Sequence, residues 1–101
     1  KDNVLKVNGR GLYKFSFKAN CINSQSSQMT SIELMVKKKD SSSWETLAKS
    51  KTFGNTIILA ETIFEVSSSN DFALIKVINK SDDKRSFEYF DYTVNKIGNL
   101  N

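Results

Sequence analysis

The chain has no histidine and no proline, a single cysteine and only four glycines in 101 residues. Without histidine there is no Ser-His or Cys-His nucleophile pair, no imidazole metal ligand and no use of the commonest physiological pH switch. The lone Cys21 forbids an intramolecular disulfide framework and any four-cysteine zinc site. At the end of an apolar strand face it is expected to be a small buried residue. Without proline, sharp turns fall to Gly, Asn, Asp and Ser. Gly9 and Gly11 are too few for a phosphate-cradling loop, and a strand rather than a helix follows them. No run approaches the ~18 apolar residues of a membrane span, and the polar start Lys1-Asp2-Asn3 lacks the apolar core of a signal peptide. Membrane insertion is therefore not expected. The chain does not begin with methionine. It is expected to be one domain, residues 1–101, excised from a longer extracellular or virion protein.

Acid pairs are present but poorly spaced for catalysis. Glu61 and Glu65 lie four apart on a predicted strand, about 13 Å, which is too far for a glycosidase pair. Asp82-Asp83 is flanked by Lys80, Lys84 and Arg85, which would repel a calcium ion. No catalytic residue, metal site or cofactor is expected, and the chain is not expected to be an enzyme.

Hydrophobic residues make up 39% of the chain and aromatics 11%, enough for one core and too apolar for a disordered segment. The period of the pattern is two. Tyr13, Phe15, Phe17 and Ala19 alternate with Lys14, Ser16, Lys18 and Asn20. Ile32, Leu34 and Val36 repeat the pattern, as do Ile58, Ala60, Thr62, Phe64 and Val66. Short strands are also expected at Val4–Asn8 and, with mixed signals, at Trp44–Lys51. Turn signals recur about every 8–14 residues, which predicts an antiparallel β-sandwich of about seven to eight strands and no substantial helix. The predicted core is Tyr13, Phe15, Phe17, Ile32, Leu34, Val36, Ile58, Phe64, Ile75 and Val77. On β-strand Thr56–Val66 the opposite face is apolar at Ile57 and Leu59 and acidic at Glu65, so it is expected to run from a covered region into solvent.

The stretch Asp71 to Ile97 carries the most information. It predicts two strands, Phe72–Asn79 and Arg85–Ile97, joined by the polar turn 80–84. Both faces of both strands are apolar. Ala73, Ile75 and Val77 oppose Phe72, Leu74 and Ile78; Phe90, Tyr92 and Val94 oppose Phe87 and Tyr89. A strand with two apolar faces has a core on one side and a second sheet, a subunit or a ligand on the other. The second face, Phe72, Leu74, Ile78, Phe87 and Tyr89, is the predicted subunit contact of a homotrimer. The competing expectation is that strand Thr56–Val66, with Ile57 and Leu59, covers that patch. Trp44, Tyr89 and Tyr92 are the candidate ligand contacts, because an aromatic platform stacks on sugar rings and a tyrosine adds a hydroxyl handle.

Two sandwich families share these motifs. Gly11-Leu12-Tyr13-Lys14-Phe15-Ser16-Phe17 resembles the Gly-x-Tyr-x-Phe-x-Phe strand of complement-type globular heads and tumour-necrosis-factor-like domains. Glu65-Val66 through Asn70-Asp71 into Phe72–Val77 is similar to their penultimate hairpin, and Phe87–Val94 falls where their last strand runs. The strands that usually precede the Gly-x-Tyr motif are mostly missing, and Asn70-Asp71 stands where Gly-Asp is usual. Tyr13–Ala19, Ala73–Asn79 and Phe87–Tyr92 are also similar to galactose-binding-like carbohydrate-binding modules. Both resemblances imply a jelly-roll sandwich. The first implies a compact homotrimer that binds a receptor or caps a fibre, bacterial or phage tail fibres included.

The expected function is thus a non-enzymatic head domain that binds a cell-surface receptor or glycan. The alternatives are a purely structural trimerisation or capping domain and a nucleic-acid-binding basic β domain. The net charge of +4 and the run Lys37-Lys38-Lys39 bear on the last. That run sits at a strand end, where lysines guard against edge pairing, which favours a solvated strand end over a nucleic-acid contact.

Overall fold

The computed structural model describes residues 4–22, 24–81, 84 and 86–99. The strands are β1 (Leu5–Asn8), β2 (Gly11–Ile22), β3 (Met29–Lys38), β4 (Glu45–Phe53), β5 (Ile57–Val66), β6 (Phe72–Asn79) and β7 (Ser86–Gly98). No helix occurs among the described residues. The segment with mixed signals around Trp44–Lys51 is strand β4. Its apolar spacing, which also fits a helix, is overridden by pairing along β3.

Two antiparallel sheets, ordered β1-β6-β3-β4 and β5-β2-β7, form the sandwich. Only β3 and β4 are both consecutive in sequence and paired; every other link carries the chain from one sheet to the other. This corrects two expectations. The final pair β6 and β7 is not a hairpin, and neither are β5 and β6, because β6 takes its ladder partners from β1 and β3. Such alternation between layers makes the fold a jelly roll.

β2 is the spine of the smaller sheet. It pairs with β5 from Gly11↔Val66 to Asn20↔Ile57 and with β7 on its other side. Its inward residues Tyr13, Phe15, Phe17, Ala19 and Cys21 are all buried, and its alternate residues face out. Facing them are Ile32, Leu34 and Val36 of β3 and Ala73 and Ile75 of β6. Nine of the ten predicted core residues are buried; the tenth, Val77, is half-buried at the core's margin. Phe15, Ile32, Leu34, Ile58 and Ile75 are sealed from solvent, each stabilising the fold by roughly 1.5–3 kcal/mol through burial.

The step from β1 into β2 depends on Gly9. Its φ of +98° suits a residue without Cβ, and its N–H donates to the Asp71 carbonyl at 3.2 Å. The Tyr13 hydroxyl closes the same corner, lying 3.0 Å from the Asn8 carbonyl oxygen and 2.9 Å from that of Gly9.

Candidate functional site

The alternation that buries one face of β5-β2-β7 leaves a second face outward, and that face is rich in aliphatic groups. On β5, Ile57, Leu59 and Ile63 are 52%, 49% and 57% exposed, and Ile97 of β7 is 49% exposed. By register Ile57 sits beside Asn20, Leu59 beside Lys18 and Ile63 beside Lys14. Ile97 lies in the irregularity between the Leu12 and Tyr13 pairings and borders a shallow concavity with Lys14, Glu61 and Ile63. Charges of both signs are interleaved: Lys14 meets Glu61 at 3.5 Å, and Lys18 stands opposite Asp91. Ser16 and Thr93 share a hydrogen bond of 2.9 Å at the centre. Ile57 and Leu59 are therefore not covered, contrary to expectation. They point away from β6, which belongs to the other sheet, so β5 does not screen the outer face of β6.

Phe72, Leu74, Ile78, Phe87 and Tyr89 do not form one surface. Phe72, Leu74 and Ile78 face outward on the four-stranded sheet, each half-buried. Phe87 belongs to the other sheet and turns inward, edge-on to Phe17 at 5.8 Å. A bulge explains the change. Lys18 pairs with Asp91 but Asn20 pairs with Glu88, so Tyr89 and Phe90 together oppose Ala19. Tyr89 takes a φ of +53° and is 82% exposed. The extra residue resets the phase: Phe87, Tyr92 and Val94 pack against the core, while Phe90, 58% exposed, only borders it with its ring 6.1 Å from that of Phe17.

The bulge also holds open a cleft of about 210 Å³ between the sheets, with Phe17, Phe87, Phe90 and Tyr92 on one wall and Ile32, Val77 and Asn79 on the other. At its floor the Tyr92 hydroxyl donates to the Ile75 carbonyl at 3.3 Å. Burial raises the pKa of that phenol above its ordinary value, because a phenolate there would lose hydration.

The three candidate ligand contacts are thus dispersed. Tyr92 floors the cleft, Tyr89 stands on the bulge beside it, and Trp44 lies at the start of β4 on the outer face of the other sheet. Trp44 is half-buried, with the Lys76 ammonium 4.1 Å from its ring centre. Among the described residues no group of three Asp, Glu or Cys side chains is placed to hold a metal. Asp82 and Asp83 lie outside the described residues. The outward aliphatics Ile57, Leu59 and Ile63 were visible as alternate positions in the sequence; what it did not reveal was that no other sheet covers them.

The sandwich is similar to a solved structure, the Eiger TNF of S. frugiperda, with a TM-score of 0.70 and 14% identity. The match covers 93% of this chain and 64% of that one, so the chain spans about two thirds of its length. The fold is accordingly a TNF-like jelly roll. No family model and no curated protein matches the sequence.

Proposed function

We propose that this chain is a non-enzymatic, extracellular receptor-binding head that works as a homotrimer closed through the outer face of β5-β2-β7. The observation that carries the reading is the set Ile57, Leu59, Ile63 and Ile97, four aliphatic side chains about half exposed on one sheet face. Isolated apolar residues on a surface are ordinary, but four large aliphatic groups gathered on one outer sheet face mark a contact. The interleaved Lys14, Lys18, Glu61, Glu65 and Asp91 suit a contact between copies, since opposite charges on one face can pair with those of a neighbour. The TNF-like fold supports both parts of the reading, as the family it resembles forms compact trimers that engage receptors. Compared with the sequence expectation, the subunit contact moves from β6 and its neighbour to the opposite side of the sandwich. A glycan held by stacking on Trp44 is not favoured, because Lys76 already occupies one ring face.

Sedimentation equilibrium tests the association. The expected mass is three times that of the 11.4 kDa chain. Ile63→Lys is expected to dissociate the trimer, since it would place an unpaired charge from each copy in a dry contact. A single 11.4 kDa species at high micromolar concentration refutes the reading. For the receptor role, cell binding by the trimer should exceed that of the Ile63→Lys monomer by roughly 10²–10⁴-fold through avidity. Equal binding by both forms would argue against a multivalent head.

A further inference from the structure

Charge is segregated between the two outer faces of the sandwich. On the four-stranded sheet, Lys6 of β1, Lys76 of β6, Lys37 of β3, and Lys49 and Lys51 of β4 all face outward. Glu33 is the single acid among the described residues of that face, and its carboxylate already accepts the Thr46 hydroxyl at 2.9 Å. The three-stranded sheet has the opposite balance, with Lys14 and Lys18 against Glu61, Glu65, Glu88 and Asp91. Among the described residues, then, the basic character of this chain is concentrated on one flat face, and that face lies opposite the proposed subunit contact.

We infer that the outer face of β1-β6-β3-β4 docks an acidic polysaccharide. The lysines sit on all four strands, and neighbouring strands are about 4.8 Å apart, so the cations form a fixed grid about 15 Å across. Such a grid suits a linear polymer with repeated anionic groups. All five cations are lysines, which act as compact point charges and not as the planar forks that select individual phosphates or carboxylates. The attraction is therefore diffuse, and salt should weaken it.

The aromatic groups argue against nucleic acid. Trp44 lies under Lys76 at 4.1 Å and Phe72 under Lys6 at 4.4 Å. Rings already engaged by the protein's own ammonium groups are poor platforms for stacking bases, on which single-strand binding depends. A broad sheet face also cannot enter a duplex groove as a helix or two-stranded ribbon does. A bilayer fits no better. Met35, Leu74 and Ile78 are half-buried between the lysines, and Phe53 at the end of β4, 58% exposed, is a single ring, whereas binding to a bilayer surface scales with the apolar area inserted.

The inference does not depend on trimer formation, although a closed ring would present three such faces outward and add avidity. Fluorescence anisotropy with a labelled heparin oligosaccharide tests it on the full chain, at about 50 mM salt and then at higher salt. Two double variants with the same change in net charge are compared: Lys49→Gln/Lys51→Gln on the face, and Arg10→Gln/Lys96→Gln off it, Arg10 lying in the β1–β2 corner beside Ser67 and Lys96 on β7. All four side chains are exposed, and circular dichroism confirms that both variants fold. The face variant is expected to bind at least about fivefold more weakly than the parent, as two exposed ion pairs are lost. The off-face variant should stay within about twofold on the same scale. Equal losses in the two variants would reduce the effect to net charge and overturn the assignment. So would an absence of heparin binding at low salt. Tighter binding to an oligothymidylate would assign the face to nucleic acid, and tighter binding to phosphatidylserine vesicles to membranes; either result also overturns the proposal.

Discussion

Replacing Phe15 by alanine removes the ring at the middle of the structure. Phe15 is 0% exposed, and its ring stacks on Tyr92 with centroids 5.8 Å apart. A buried aromatic side chain removes about 150–250 Å² from water, worth about 4–6 kcal/mol at ~25 cal/mol per Å². Alanine retains a small part of that. The site cannot easily collapse, because Phe15 pairs with Thr62 of β5 on one side and Val94 of β7 on the other. The loss is therefore expected in the upper half of the usual range, at about 4 kcal/mol. A domain of this size has about 5–15 kcal/mol in total, so the variant should fold but lie near its limit. Urea unfolding followed by Trp44 fluorescence would read the loss as a fall in midpoint of about 2 M, for a slope of about 2 kcal/mol per M. Parent and variant must be compared at one protein concentration, since self-association adds to apparent stability. A loss below about 1 kcal/mol would show that the inward face of β2 is not the core, and the layer assignment would fall with it.

Three further outcomes follow from single residues. Thr30 is 0% exposed and its hydroxyl oxygen has no hydrogen-bond partner among the described residues. Thr30→Val should stabilise the fold by about 1 kcal/mol in the same urea titration, and a clear loss would show that the hydroxyl is engaged. Tyr92 has a raised pKa in the folded state, so its contribution is intact below the unfolded value of 10.0 and is lost as pH rises through the folded value. Thermal melts should thus show a steeper alkaline fall for the parent than for Tyr92→Phe, and parallel curves would contradict the burial of the phenol. Cys21 is 1% exposed, with its sulfur 3.9 Å from the Thr52 hydroxyl. A maleimide should label it only after denaturation, and fast labelling of the native chain would place the thiol at the surface.

The strands and the core were legible because alternation with period two is strict along β2, β3 and β5. Local patterning marks which side chains turn inward, but not which strands become neighbours. For that reason β6 and β7 could be found and yet be joined wrongly as a hairpin, when the chain crosses between sheets. The two-faced look of the last strand has a separate cause. Counting in twos from Phe87 puts Tyr89, Asp91 and Thr93 on its side, and Phe90, Tyr92 and Val94 on the other. The bulge at Tyr89 and Phe90 shifts the count by one, so Phe87 turns to the same interior as Tyr92 and Val94, while Tyr89 and Phe90 themselves stay exposed. A shift of phase and a second binding face leave the same trace in a sequence. The self-contact surface was half legible: Ile57, Leu59 and Ile63 alternate plainly, whereas their exposure follows from the layering of sheets.

β7 is the outermost strand of its sheet among the described residues, thirteen residues long and paired only with β2. A regular strand of that length with a vacant hydrogen-bonding side is a template on which further chains can add, and unchecked addition ends in fibres. Here the ladder is interrupted at Lys18/Asn20 and again at Leu12/Tyr13. A second copy laid along β7 would lose step at each break, and no uninterrupted repeat could propagate. Deleting Tyr89 to straighten the strand would do more than misplace Tyr92 and Val94: it would lengthen the regular border open to polymerisation. The irregularity that shapes the cleft also keeps this border from seeding growth.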